Sequence, residues 1–177
     1  MNPPVVVIGV GNPYRRDDGV GPAVIERLRR ADLPGTTLAE SDGDAGTLIE
    51  LWERRRLAIV VDAVHTHHAH PGRIHRHVMA CRPGTSARSA SSHTMDMGDA
   101  VALARELDRL PDRMVMLGVE VADIGYGPGL TPAVATAVDQ VVEQVVEQVV
   151  EAVAAAVRST RTSGTFSTTR QCGIERR

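Results

Sequence analysis

The chain has 177 residues, a 42% hydrophobic content and a formal net charge of -2. That length suits one domain with a real core, and the charge gives no basic field for nucleic acid and no acidic interaction tail. All 20 basic residues are Arg, so a P-loop lysine and Schiff-base chemistry are both excluded.

Cys81 and Cys172 are the only cysteines. They form no disulfide framework and no Cys-x-x-Cys metal site, so a reducing, cytoplasmic compartment is expected. Met1-Asn2-Pro3-Pro4 lacks the basic flank and apolar stretch of a signal peptide. No run approaches the roughly 18 apolar residues of a membrane helix. Neither a membrane nor a nucleic-acid partner is expected.

Val5 to Gly9 is a short β-branched run, read as a strand buried on both faces. A glycine-rich turn follows, and Val24, Ile25 and Leu28 then share one face of a helix over 21–30. Residues 36–40 are a weaker strand and 47–55 a helix. Leu57 to Asp62 is a second buried strand, ending in an acid. Residues 73–79 alternate as a strand suited to an edge, 93–107 form a helix and 114–119 another buried strand. Thr131-Pro132 starts the last helix, with Thr as N-cap and Pro in the first turn. This alternation predicts a single-domain α/β/α sandwich around a mostly parallel, twisted sheet of about five strands.

From Asp139 the last helix becomes a Val-Val-Glu-Gln repeat. Four residues advance about 400° on an α-helix, so the apolar stripe drifts by about 40° per repeat. Either the helix is simply over-extended, or its far end leaves the domain or meets another chain. The domain is expected over residues 1–157. Residues 158–177, rich in Ser, Thr, Arg and Gly, read as a disordered tail.

Ligands of open α/β sheets bind beyond the carboxyl ends of the strands. Three remote segments bring polar residues there: Asp17-Asp18 after the first strand, Asp62 at the end of the third, and His93 before the helix at 93–107. Two carboxylates and an imidazole can hold a divalent transition metal with open positions, or the carboxylates can act as general base and acid. Each residue also has a plain structural reading. Asp17 or Asp18 can cap the next helix, and His93 can simply start one. Gly9-x-Gly11 suggests a dinucleotide turn, but Tyr14 occupies the place of the third glycine, which leaves a tight turn as the ordinary reading. His65, His67, His68, His70, His75 and His77 cluster after Asp62; they form either a solvated loop or one that gathers nickel. No Gly-x-Ser-x-Gly elbow and no His-Glu-x-x-His pair is present.

Together these residues resemble the hydrogenase maturation endopeptidases. The resemblance rests on Gly9-Val10-Gly11-Asn12 with Asp17-Asp18-Gly19-Val20-Gly21, Val60-Val61-Asp62-Ala63, Ser92-His93, Gly118-Val119-Glu120, and Gly127 to Val134, across roughly residues 5 to 140. It implies an α/β/α sandwich in which Asp18, Asp62 and His93 contact nickel, with Gly11, Asn12 and Asp17 in the substrate cleft. The implied partner is a [NiFe]-hydrogenase large-subunit precursor, cut near its C-terminus after a basic residue once its nickel has been inserted. The metal would be the substrate's, with no permanently bound cofactor. Asp62 is the residue assigned to activate the attacking water, and a monomer is expected. A non-enzymatic nickel-binding maturation protein is the alternative, motivated by the histidine cluster.

Overall fold

The computed structural model describes residues 3–66, 70–81 and 95–163. Its elements follow in the order β1 (Val5–Val10), a 3-10 turn (Arg16–Gly19), α1 (Val20–Leu28), β2 (Thr36–Ser41), α2 (Ala45–Trp52), β3 (Leu57–Val64), β4 (Ile74–Ala80), α3 (Met95–Glu106), β5 (Arg113–Glu120) and α4 (Pro132–Ser163). The five strands form one sheet in the order β2-β1-β3-β5-β4. All neighbours are parallel except β4, which runs antiparallel to β5 at the edge.

Two apolar layers sandwich the sheet, and strand alternation sorts the residues between them. Val5, Val7, Leu57, Ile59 and Val61 pack with α1 and α4. Val6, Ile8, Val10, Ala58 and Val60 pack with α2 and α3. All six residues of β1 are buried, as expected for a central strand covered on both faces. β4, by contrast, is largely exposed, with only Ile74, His75 and Met79 half-buried. An antiparallel edge strand packed on one side needs no more apolar content than that.

The last helix keeps its seam longer than its repeat suggests. Val134, Val138, Val141, Val145 and Val149 are all buried, and Ala152 and Val153 still pack against the same core. Along its length α4 packs against α1, β1 and β5, and Val153 lies beside the Gly35 turn. The helix runs to Ser163. Among the described residues, no helix is long and apolar enough to cross a membrane.

Candidate functional site

The topology sets where a ligand can enter. From β1 the chain crosses to β2 on one side and then returns past β1 to β3 on the other, so the strand order reverses between β1 and β3. Such a switch point opens a crevice at the carboxyl ends. The register locates it: the last pair between β1 and β3 is Gly9 with Val61. Beyond that pair β1 stays with β2, Val10 opposite Ser41, and the Gly11 N–H donates to the Ser41 carbonyl. Meanwhile β3 continues along β5, with Asp62 opposite Gly118. Asp62 is therefore the first β3 residue past the parting of the two strands. The sequence pattern ends β3 at Asp62. It runs on to Val64, because β5 offers pairing partners as far as Glu120.

Asp18 approaches the same crevice from the β1 side. Its Oδ2 accepts the Asn12 N–H at 3.0 Å, and the Asn12 Oδ1 accepts the Tyr14 N–H at 2.9 Å. The Asp18 N–H donates to the Arg15 carbonyl. These bonds close the turn around a half-buried carboxylate. Gly11 makes the closure possible: its φ is +130°, and a Cβ there would lie 1.9 Å from the Asp18 carbonyl oxygen. Gly9 and Gly21 face each other in the same economy of space, where a Cβ on Gly21 would lie 2.3 Å from the Val10 oxygen. Gly11 and Asn12 thus shape the turn beside Asp18.

Asp17, expected in the cleft, points inward. It is fully buried. Its Oδ2 accepts the Ala122 and Asp123 N–H groups and the Thr131 hydroxyl, and its Oδ1 accepts the Thr131 N–H at 2.6 Å. Burial alone would raise its pKa, but the donors outweigh it and hold the carboxyl below its ordinary value. Asp17 fastens the loop after β5 to the turn after β1. Thr131, expected as a helix cap, spends its hydroxyl on that clasp.

His93 lies outside the described residues, as do His67 and His68. The helix that follows it in sequence, α3, can still be oriented. Arg105 and Arg109, at and just after the end of α3, bond to Met79 and Glu53. Met79 pairs with Met114 near the start of β5, so α3 ends at the amino side of the parallel strands and starts toward their carboxyl side. It packs the face that carries Ala58 and Val60, the face Asp62 shares by the two-residue period of a strand. Among the described residues, no three His, Cys, Asp or Glu side chains converge on a metal position.

Glu120 is the residue whose role the sequence reading missed. It is 3% exposed, at the end of β5 opposite Val64. Its carboxylate accepts the His70 N–H, the Thr66 hydroxyl and the His75 Nε2–H, the last at 2.6 Å. The His70 amide first, and His75 next, bring its pKa down to about 2. An ionised buried carboxylate thus staples both sides of the histidine-rich connection to the sheet. The sequence signal was an acid closing an otherwise apolar strand.

Solved structures share this architecture. The hydrogenase maturating endopeptidase HybD from E. coli superposes with a TM-score of 0.70 at 23% identity, covering 83% of this chain and 92% of that one. The [NiFe] hydrogenase maturation protease HybD from Thermococcus kodakarensis gives 0.64 at 22%, covering 82% and 98%. A hydrogenase 2 maturation peptidase from a Thaumarchaeota archaeon gives 0.60 at 22%, covering 81% and 96%. No curated protein sequence matches the chain. At these identities the likeness defines a class of fold, the doubly wound α/β/α sandwich expected from the sequence. The particular family comes from sequence: the family model described as HycI, hydrogenase maturation protease, matches residues 22–148, most of the chain. The chain belongs to the hydrogenase maturation proteases and is a peptidase. The matched span includes Asp62 and His93 and begins just after Asp18.

Proposed function

We propose that this peptidase removes the C-terminal extension of a [NiFe]-hydrogenase large-subunit precursor after nickel insertion, in the cytoplasm and as a monomer. The observation that supports this most is the meeting of two carboxylate-bearing segments at the crevice. The turn of Asp18 and the register position of Asp62 flank the point where β1 and β3 part.

In this reading the nickel belongs to the substrate. Asp18, Asp62 and His93 contact it, and two oxygen donors with one imidazole suit a metal that must be released again. The reaction adds water across one peptide bond. Asp62 takes a proton from the water as its oxygen attacks the scissile carbonyl carbon, and the carbon–nitrogen bond then breaks as the leaving nitrogen gains a proton. Gly11 and Asn12 fix the turn that holds Asp18 in place.

Asp62→Asn keeps the size of the side chain and removes the base. Mass spectrometry of a nickel-loaded precursor, with a nickel-free precursor alongside, should show one C-terminal peptide lost only from the loaded form. The variant, folded by circular dichroism, should process it about a hundredfold more slowly or worse. Full processing by the folded variant removes Asp62 from the mechanism.

A further inference from the structure

We infer that Tyr14 and Tyr126 form a recognition platform for the folded body of the precursor, beside the cutting site. The inference rests on the endopeptidase reading above. The chain has only two tyrosines, and they are 73% and 92% exposed. Trp52, in contrast, is fully buried.

The two tyrosines stand on neighbouring backbones. The Gly127 N–H donates to the Tyr14 carbonyl at 2.8 Å, and the Arg16 N–H donates to the Gly127 carbonyl at 2.9 Å. Arg15 and Gly127 form an isolated parallel bridge. Arg16 also pairs with Asp123 through Nε at 3.3 Å, and the buried Asp17 clasp lies directly beneath. Two loops far apart in sequence are thereby locked into one ledge with a tyrosine on each.

Nothing in the fold calls for these aromatics, since neither contributes to a core layer. Tyrosine and arginine are the side chains that most often anchor protein–protein contacts, and a ledge fixed in advance loses little entropy on binding. Tyr14 lies four residues before Asp18, on the same turn. A substrate segment reaching Asp18 brings the surrounding surface of its own domain over this ledge. A projecting aromatic ledge matches a protein surface rather than a small ligand, which would need an enclosing cavity.

The test is steady-state processing of nickel-loaded precursor by the full-length protein carrying Tyr14→Ala and Tyr126→Ala together. KM should rise about tenfold or more with kcat nearly unchanged, while Tm stays at the value of the unaltered protein. Tyr14→Phe with Tyr126→Phe should restore most of the loss, because the ring supplies the contact. A KM within twofold of the unaltered protein overturns the platform and leaves the endopeptidase reading intact. A precursor left uncut by the unaltered protein overturns that reading and the platform with it.

Discussion

At the scale of single residues, adjacent acids with the same side chain do opposite jobs. Asp18 sits half-exposed at the crevice, held by one amide from Asn12. Asp17 is buried and surrounded by four donors from a loop more than a hundred positions away. A carboxylate is needed there because every partner donates. Asp17→Asn turns an amide NH2 toward some of those donors, leaving buried N–H groups without acceptors. A loss on the order of 2–3 kcal/mol is expected, or roughly 4–12 °C in Tm for a chain of this size. Thermal denaturation followed by circular dichroism measures it, and a Tm within 1–2 °C of the unaltered protein (about 0.5 kcal/mol) shows that the clasp holds nothing. The pair looks identical in sequence, and only the distant loop decides which acid turns inward. That is why the sequence assigns both acids a place at the cleft, while burial and the four donors set Asp17 apart from Asp18.

At the scale of elements, the buried strands and most of the helices were legible because each carries its own period. β1 and β3 are continuous apolar runs, and α2 starts where Asp44 accepts the Thr47 amide. What local pattern does not carry is pairing. The extension of β3 past Asp62 depends on β5, and the anchoring of Thr66, His70 and His75 depends on Glu120. That staple has a definite pH dependence. Glu120 has its folded pKa lowered from the ordinary value of 4.5 to about 2. A lowered acid contributes stability that is complete above the unfolded value and disappears as pH falls toward the folded one. The Tm gap between the unaltered protein and Glu120→Gln should therefore be full near pH 7 and shrink as pH drops from about 4.5 to about 2. A gap that stays constant over that window means the charge on Glu120 contributes nothing.

At the scale of the whole molecule, α4 joins the clasp to the opposite end of the fold. It starts directly after Thr131, which Asp17 holds at the rim, and its valines run down the sheet face to the turn at Gly35. Its repeat drifts, yet the buried positions advance from Val134 to Val149 without a gap of more than one turn. Midway along, Gln148 is itself buried and accepts from Arg113 at 3.0 Å. This path divides the helix by function. The part through Val153 closes one apolar layer, and the part beyond adds no buried hydrophobic residue among those described. A chain ending at residue 155 keeps every buried apolar residue of the helix among those described, so its Tm should stay within about 2 °C (under about 1 kcal/mol) and its processing rate unchanged. A chain ending at residue 144 removes Val145 and Val149, which contribute about 1.5–3 kcal/mol each as buried apolar side chains. It also removes the acceptor of Arg113. Its Tm should fall by about 10 °C or more. If the shorter cut is harmless, the core closes without the end of α4; if the longer chain already loses its Tm, the far end has a packing role of its own, and an assembly measured by light scattering is where that role would show.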